Sequence, residues 1–506
     1  MKKTNYNFVI ETCSPIHIGC GEEYDPTGFT VDENKQSLTV FDPIIFFSGL
    51  SPEDLNTFSH ICKTAEVHSI QDMYKFMRNR PSQGRNIEVS KAFINHYTEV
   101  LGKSRRDFVK ALTNFKIERT VYCSHDQRAY IPGSSIKGAL RTALLNMLAK
   151  KKPLIRMNDS KYSKDLEARL LNLNNKNDLF SNDPFKGVKL SDFLPVGEVQ
   201  HKIMYAVDVK KGKPDKGGGP FQLLEIILPG SLFVGTLSIV GDSINQLANK
   251  YSFDSVNEFF SAACKQFYLK EKEKEIQAGM HINLDQSSYA FSNNIPIRLG
   301  RHCGAECMTI EKYRRIFIKN LNKTLDHSTT FWLASDSKKF NNNKTVYPFG
   351  WAKLSLLDTH TQKQYDDQEN NYQDLCNKMR EKVIARQKEK AIQIEKEKQI
   401  RQARIQKREE EKQQELELQK KLSEMSPEEK KLYQLNQNML PEDQANAIYN
   451  QLEKIEPPQY QWELAKALKG YFNKNNLWDF SKLSKRQKKK RKQRNMTIDM
   501  IIAKEF

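Results

Sequence analysis

The sequence lacks long apolar runs: none approaches the roughly 18 consecutive apolar residues that a membrane-spanning helix requires. The first residues alternate apolar and polar side chains, as a half-buried strand does, and do not form the continuous apolar segment of a signal peptide. We therefore expect a protein that neither crosses a membrane nor is anchored in one.

Paired cysteines are also lacking. The 8 cysteines form no C-x-x-C pair and no regular spacing that would indicate a disulfide framework, so we expect free thiols in a reducing cytoplasm. His302, Cys303 and Cys307 are close enough in sequence for a zinc site, but no second ligand pair follows within the span of a typical zinc finger. Buried thiols are the better interpretation, and we predict neither a metal nor a cofactor.

Acidic residues are too few to balance the basic ones: 62 against 81, which gives a net charge of +19 and an isoelectric point near 9.3. The segment 365–506 holds 31 basic and 24 acidic residues, a surplus of 7, which leaves a surplus of 12 in the first 364 residues. Because the excess is not confined to the tail, the whole chain is expected to attract a polyanion such as nucleic acid.

The stretch Ile131–Leu148, IPGSSIKGALRTALLNML, predicts a glycine-rich turn that leads into an amphipathic helix. Lys137 and Arg141 fall near the helix start, where the helix dipole favours negative charge, so we expect an anionic partner, most simply phosphate. A nucleotide-hydrolysing P-loop is excluded, because Ala139 and Leu140 stand where its Lys and Ser/Thr would be. The alternative is a tight turn whose glycines serve the backbone alone and whose cations are solvated.

The remaining pattern is α+β. Strands are predicted at 6–13, 38–41, 120–122, 129–131, 188–192, 204–209, 223–228, 231–240 and 352–357, and helices within 44–116 and from Val256. The strands 223–228 and 231–240 are expected to pair around Pro229-Gly230. The segment Lys210–Pro220 is interpreted as a mobile basic loop, either lying along a phosphate backbone or simply connecting two strands. We predict helices on one face of an antiparallel sheet.

A second glycine-rich turn, Arg298-Leu-Gly-Arg-His-Cys-Gly-Ala-Glu306, echoes the first. Both contain two glycines a few residues apart, followed by alanine, and both are rich in basic residues. The echo suggests a duplicated α+β unit.

The C-terminal part is different in composition. Residues 371–424 are mostly charged and predict a long solvated helix, and Ser426-Pro-Glu-Glu429 is a capping box that begins a small helical array. The run Lys485–Arg494 has eight cations in ten residues. It could bind RNA, contact another protein or keep the tail soluble.

Four stretches together resemble the RAMP superfamily of CRISPR proteins, and within it the subunit that caps the crRNA 3′ end in the type III-A Csm effector complex. These four signature stretches are Pro15-Ile-His-Ile-Gly-Cys-Gly21, Ile131–Arg141, Arg298–Glu306 and Tyr347-Pro-Phe-Gly-Trp351. The resemblance covers about residues 5–358 and implies two ferredoxin-like (RRM-like) domains in tandem. We assign them to 1–200 and 201–364, followed by a charged helix at 365–425 and a small helical region with a basic tail at 426–506. Family members usually end before this extension.

The resemblance also implies a non-catalytic role in antiviral defence: binding crRNA, supporting its maturation, and contacting neighbouring RAMP backbone subunits of the Csm complex, with target RNA and host nucleases as further partners. The implied RNA-binding residues are Gly133, Ser134, Ser135, Lys137, Gly138, Arg141, Arg298, Gly300, Arg301, His302 and Gly304.

Two other functions stay open at this point. Some RAMP proteins cleave RNA without a metal by means of a histidine, and His17, with His302 as its only obvious helper, is the candidate general acid or base. Alternatively, the protein is an assembly adaptor whose C-terminal extension recruits a nuclease.

Overall fold

The computed structural model describes residues 3–64, 66–80, 82, 84–152, 162–174, 177–211, 219–277, 291, 294–339, 346–479 and 484–504. The strands are β1 Lys3–Thr12, β2 Gly19–Glu23, β3 Phe29–Asp32, β4 Ser37–Val40, β5 Arg85–Val89, β6 Ile117–Thr120, β7 Val188–Leu190, β8 Leu194–Pro195, β9 His201–Lys210, β10 Phe221–Ile227, β11 Leu232–Val240, β12 Ile295–Arg298, β13 Ile316–Ile318, β14 Lys323–Leu325, β15 Thr330–Ser335, β16 Val346–Pro348 and β17 Trp351–Leu356. The helices are α1 Pro43–Ser48, α2 Pro52–Thr64, α3 Val67–Met77, α4 Lys91–Leu101, α5 Arg105–Thr113, α6 Gly133–Lys151, α7 Tyr162–Leu170, α8 Asp178–Ser181, α9 Ser243–Lys250, α10 Val256–Gln277, α11 Thr359–Glu424, α12 Pro427–Asn436, α13 Glu442–Gln451, α14 Pro458–Lys474 and α15 Lys485–Ile502.

Two sheets form the body of the α/β unit. The first sheet is antiparallel, in the order β12-β17-β1-β11-β7, with β8 also paired to β11. Helices α6 and α10 contribute buried side chains such as Leu140, Leu144 and Phe260 to the core that this sheet shares. This is the arrangement that the sequence predicts, with helices packed against an antiparallel sheet.

The second sheet is mixed. Its order is β2-β6-β10-β9-β5-β4-β3, and β15 pairs with β9 and β16. The pairs β6–β10 and β5–β9 are parallel, and the others are antiparallel. Helix α4 packs Phe93 and Tyr97 into its core, together with Tyr205 of β9.

The predicted pairing of residues 223–228 with 231–240 is wrong. β10 pairs with β6 and β9 in the second sheet, whereas β11 pairs with β1, β7 and β8 in the first. The turn between them is bound to the end of β1: the Gly230 amide donates to the Thr12 carbonyl at 2.7 Å, and the Thr12 amide donates to the Ser231 carbonyl at 3.0 Å. These bonds direct the chain from one sheet into the other instead of closing a hairpin.

Most predicted elements lie within a few residues of the observed ones, including β1, β9, α6 and α10. Within 44–116, β5 accompanies the predicted helices. The predicted domain boundary at residue 200 does not coincide with a break between sheets, because β1 pairs with β11 and β17 across it. The basic loop predicted for Lys210–Pro220 lies mostly in residues 212–218, outside the described residues.

The chain divides into two compact units, residues 1–379 and 380–506. Within the first, the beginning of α11 is held by Arg128, whose guanidinium binds the Glu369 carboxylate through two hydrogen bonds of 2.8 and 2.6 Å and lies 4.7 Å from the Tyr372 ring. No helix among the described residues is both long enough and apolar enough to cross a membrane.

The second unit contains most of the long predicted helix and a small helical bundle, which confirms the helical C-terminal region. Ser426 and Glu429 form the predicted capping box, with the Ser426 Oγ accepting from the Glu429 amide at 3.2 Å. Leu435, Leu464, Phe472 and Ile498 from α12, α14 and α15 form the bundle core.

We expect Phe472→Ala to destabilise the bundle by about 3–5 kcal/mol, because a fully buried ring is removed and leaves a cavity. Hydrogen exchange should become faster in α14 and stay unchanged in β11, since these elements belong to different units. Met500→Ala, at a side chain that is 62% exposed, is the control and should change neither. Equal loss of protection in β11 would contradict the division into two units.

Candidate functional site

Three of the four signature stretches are joined by main-chain hydrogen bonds. The Leu299 amide donates to the Gly350 carbonyl at 2.8 Å, and the Gly350 amide donates to the Pro15 carbonyl at 2.9 Å. The Arg301 amide completes the set by donating to the His17 carbonyl at 2.8 Å. The first stretch therefore forms one local structure with two stretches that lie more than 270 residues after it in the sequence.

Glycine is required at position 300 for two reasons. Its φ is +85°, in the left-handed region that other residues resist, and a Cβ there would lie 2.3 Å from the His17 carbonyl oxygen. The second turn can approach the Pro15–Gly21 loop only because this side chain is missing.

The remaining signature stretch, Ile131–Arg141, contains the start of helix α6, which begins at Gly133, one residue after Pro132. The Gly133 amide donates to the Asp192 carboxylate at 2.9 Å, and a Cβ on Gly133 would lie 2.4 Å from the Ser191 carbonyl oxygen. Asp192 thus binds one of the amides that a helix start leaves without a partner. Glycine allows the helix to begin in contact with the segment before β8.

The two glycine-rich turns line one cleft of about 400 Å³, which we call the signature cleft. The sequence-predicted residues that line it are Ser134, Ser135, Gly138, Arg298, Gly300 and Arg301. The other predicted residues, Gly133, Lys137, Arg141, His302 and Gly304, lie outside its lining. The structure therefore brings together part of the predicted site, at the start of α6 and the second turn.

Arg141 has its anionic partners inside the protein. Its guanidinium donates to Glu167 at 2.8 Å and to Asp183 at 2.8 Å, and it lies 5.1 Å from the Phe185 ring. The sequence correctly indicates that this cation needs negative charge, but the carboxylates of the chain itself provide it. In this structure Arg141 fastens α6 to the segments that follow it.

Lys137 is similarly engaged. Its ammonium donates to the Val188 carbonyl at 2.7 Å, which joins α6 to β7. Burial, together with nearby Lys189, lowers the pKa of Lys137. Both effects favour a structural role for this lysine.

Arg298 forms the floor of the signature cleft. It is 7% exposed, binds the Glu275 carboxylate and donates through Nε to the Phe349 carbonyl at 2.9 Å. Its guanidinium also lies 4.9 Å from the Trp351 ring. Because its donors point into the protein, Arg298 holds α10, the second turn and β17 together.

Arg301 is the cation of the second turn that reaches solvent. Its side chain is 42% exposed and forms an ion pair with Glu118 of β6. An exposed pair of this kind contributes little to stability and can exchange for another anion at small cost. Among the predicted cations that line the cleft, Arg301 is thus the one available to a ligand.

The side chain of His302, a residue of the second turn, packs against Gln222 and Trp332 and does not line the signature cleft. Its φ is +64°, its Nε2 lies 2.9 Å from Gln222 Oε1, and its ring stacks on Trp332 at 4.7 Å. Burial, followed by the nearby charge of Arg301, lowers the pKa of His302 to about 3. The neutral imidazole is therefore part of the packing beneath the cleft.

The structure does not support His17 as a general acid or base. Its side chain is 0% exposed, and its Nδ1 lies 2.8 Å from the Glu225 carbonyl oxygen. A carbonyl can only accept, so Nδ1 carries the proton and donates. Burial lowers the pKa of His17, and a ring with no exposed surface cannot contact RNA in this conformation.

The zinc interpretation of His302, Cys303 and Cys307 is also unsupported by the local geometry. The Cys303 thiol donates to the Leu299 carbonyl at 2.9 Å, and burial raises the pKa of Cys303 to about 11 and that of Cys307 to about 12. All eight cysteines are free thiols. Among the described residues, Cys123, His125 and Asp126 bring possible ligand atoms within 4.8 Å, but Arg128 already binds Asp126 at 2.7 Å.

Two important residues were missed by sequence reasoning. Gly19, in the first signature stretch, also lines the cleft. Glu225 lies beneath the loop that carries Gly19, at 1% exposure. The available signal for Glu225 is its position in the otherwise apolar run Leu223–Leu228, since a charged residue in a buried strand needs partners.

Comparisons with known proteins agree on one family. The model of the RAMP superfamily matches residues 9–284. The chain is 25% identical over 392 residues to the CRISPR system Cms protein Csm5 of Methanocaldococcus jannaschii, covering 69% of this chain and 88% of that protein.

Two solved structures are similar at lower identity. One is a chain from the cryo-EM structure of a Csm-crRNA-target RNA ternary complex of a type III-A CRISPR-Cas system, with 20% identity, 70% of this chain and 100% of that chain covered, and a TM-score of 0.44. The other is the crystal structure of T. onnurineus Csm5, with 18% identity, coverage of 68% and 99%, and a TM-score of 0.39.

We predict opposite effects for two glycine substitutions. Gly300→Ala should lower the free energy of unfolding by at least about 2 kcal/mol, because it adds left-handed strain to a collision with the His17 carbonyl. Gly138→Ala should raise it by about 0.5–1 kcal/mol, because it replaces an exposed glycine inside a helix and its Cβ meets nothing within 4 Å. Urea denaturation measures both, and similar changes in the two variants would contradict the assigned geometry.

His302 should make stability depend on pH. Its pKa is about 3 in the folded protein against an ordinary value of 6.5, so the unfolded chain binds the additional proton between these pH values. The free energy of unfolding should therefore fall as the pH decreases below 6.5. This contribution is about 1 kcal/mol between pH 7.5 and pH 5.5.

His302→Asn removes this component, and Asn tolerates the left-handed backbone. The variant should show a smaller loss of stability than the wild type when urea denaturation is repeated at pH 7.5 and pH 5.5. His60→Asn, at an exposed histidine of α2, should behave as the wild type does. A wild-type pH dependence in both variants would show that His302 does not titrate as described.

Proposed function

Because this chain belongs to the RAMP superfamily, we propose that it is a non-catalytic crRNA-binding subunit of a type III-A CRISPR (Csm) interference complex. The similarity to a Csm5 protein, which extends over 88% of that relative, supports this choice among RAMP functions. The single observation that carries the proposal is the meeting of both glycine-rich turns in the signature cleft.

The chemistry of the cleft suits a phosphate. Ser134 and Ser135 lie in the first turn of α6, a helix of 19 residues, where the helix dipole favours an anion. The exposed guanidinium of Arg301 lies across the same cleft. Neither group reads a base, so recognition through the RNA backbone would tolerate any guide sequence.

We further propose a division among the predicted RNA-binding residues. Ser134, Ser135, Gly138, Gly300 and Arg301 contact RNA, since they line the cleft and their polar groups or backbone are accessible. The remaining ones have structural roles: Arg298 forms the floor of the cleft with its donors engaged inside the protein, Gly133, Lys137, Arg141 and His302 hold the elements around it, and Gly304 provides the left-handed backbone of the second turn. Their internal hydrogen bonds, ion pairs and close packing support this assignment.

Within the complex, the proposed position is at the 3′ end of the guide, as the family resemblance implies. There the subunit would support crRNA maturation in the cytoplasm and contact the neighbouring RAMP backbone subunits. The buried state of His17 supports a binding role over RNA cleavage.

We also propose that both sheets derive from ferredoxin-like domains. In the first sheet, β1, α6, β7, β11, α10 and β17 follow one another in the order of a ferredoxin-like fold, and the strands lie in the order β17-β1-β11-β7. The two domains would then be interleaved along the chain instead of consecutive, which accounts for the pairing across residue 200.

The proposed role of the cleft can be tested with Ser134→Glu. A carboxylate in the first turn of a helix favours folding, but it should repel a phosphate in the cleft. We expect about 1 kcal/mol weaker binding, roughly a fivefold loss, for one like-charge contact near the surface. The measurement is the amount and length of crRNA that copurifies with the tagged complex.

Ser134→Gln is the matched control, because it has the same size without the charge and should retain RNA as the wild type does. Arg301→Ala should also lose RNA, whereas Arg301→Lys should keep part of it. Equal RNA content in the Glu and Gln variants would refute binding at the signature cleft.

A further inference from the structure

A dense group of exposed cations lies on helix α15, outside the signature cleft. Six of its cations are exposed and follow one another within eight residues: Lys485, Arg486, Lys488, Lys489, Lys490 and Lys492. In the part of the chain that the structure describes, none of these six forms an ion pair with a carboxylate. We call them the α15 basic face.

Two other basic residues of α15, Arg491 and Arg494, differ from these six cations because they make contacts within the bundle. Arg494 is 7% exposed, lies 3.7 Å from the Phe472 ring and donates to the Leu477 carbonyl at 2.5 Å. Arg491 donates to the Asp479 carbonyl at 2.9 Å. Among the contacts of the described residues, the cations of the basic face have no such structural use.

The basic face opposes the stability of its own helix. Lys485 lies three and four residues from Lys488 and Lys489, and both Lys488 and Lys489 lie at the same spacing from Lys492. Like charges at this spacing repel each other, and no acidic residue alternates with them. A bound polyanion would neutralise this repulsion between the lysines, which accounts for a group of like charges that destabilises the helix on its own.

Helix α11 shows what a solvated charged helix looks like in the same chain. Its lysines are mixed with glutamates at helical spacing, as Lys407 is with Glu410 and Glu411. Its charge is nearly balanced locally, whereas that of the basic face has one sign.

We propose that the α15 basic face is a second RNA-binding site, which takes the phosphate backbone of single-stranded RNA without reading its sequence. Lys485, Lys488, Lys489 and Lys492 form a stripe about 10 Å long on the side of α15 opposite Ile498 and Ile501. Lysine suits phosphates because it acts as a point charge. A protein partner would be expected to use buried aromatic or apolar anchors, and no exposed aromatic side chain lies among these cations.

The test is the salt dependence with which the full-length protein binds a uridine homopolymer. Changing Lys485, Lys488, Lys489 and Lys492 together to Gln should weaken binding and reduce the slope of log affinity against log salt by up to about 3, since each lost single-strand phosphate contact removes about 0.7. Changing the same four residues to Arg keeps the charge and should preserve the slope. Because all four are exposed, circular dichroism should show an intact bundle.

The matched control changes four exposed lysines of α11 to Gln: Lys398, Lys407, Lys412 and Lys420, each of which has a glutamate three or four residues away. This variant loses the same net charge, so it separates a local site from general attraction. Equal slopes of log RNA affinity against log salt for the α11 and α15 variants would overturn the proposal. The same result is expected if the basic face binds an acidic protein instead of RNA.

The two RNA sites can fail separately. Repeating the measurement in the Ser134→Glu background should give the same change in slope, because the α15 basic face does not depend on the signature cleft. Loss of the α15 effect in that background would contradict an independent site. If Ser134→Glu retains crRNA and the α15 variant still loses slope, the cleft proposal fails and this one stands.

Discussion

The carboxylate of Glu225, on β10 of the second sheet, is buried. The position of the Pro15–Gly21 loop depends on this residue, because His17 of the loop is hydrogen-bonded to the Glu225 carbonyl. The carboxylate oxygens accept hydrogen bonds from Arg85 at 2.6 Å and from the Thr120 amide at 3.2 Å, and Nδ1 of His201 lies 3.1 Å from Oε1. Burial would raise the pKa of Glu225, but Arg85 and His201 outweigh it and the pKa is lowered. A buried charge is tolerated only when it is paired in this way, so removing one partner would leave the other uncompensated.

This pairing extends to the signature cleft through the backbone. The Glu225 carbonyl binds the His17 ring, and the His17 carbonyl in turn receives the Arg301 amide. These hydrogen bonds join the loop, the second turn and β10. The signature cleft lies at the corner where the two glycine-rich turns meet the start of α6.

The sequence predicted the elements of the fold better than their partners. Alternation and helical spacing identify β1, α6 and α10 because each has one buried face, and the capping box at Ser426 identifies a helix start from local chemistry alone. The pairing of β10 and β11 could not be predicted in this way, since it depends on bonds between Gly230 and Thr12, more than 200 residues apart. Alternation shows that a strand has a buried face, but not which strand lies beside it.

The same limit applies to the site. The glycines were recognised because turns and close approaches require them, whereas the role of Arg141 depends on Glu167 and Asp183, whose proximity no local pattern shows. His17 was a plausible catalyst in sequence because its burial is not visible there.

The crossing from β10 to β11 has a consequence for synthesis of the protein. β1 leaves the ribosome well before its partners β11 and β17, which begin at residues 232 and 351. At roughly 5–20 residues per second, β1 waits on the order of 10–50 s for its first neighbour and longer for its second. Throughout that time both edges of this alternating strand lack their native partners, and an unpaired strand edge is a template for pairing with another chain. A strand whose partners come from distant segments therefore carries this risk for as long as the chain between them is being made.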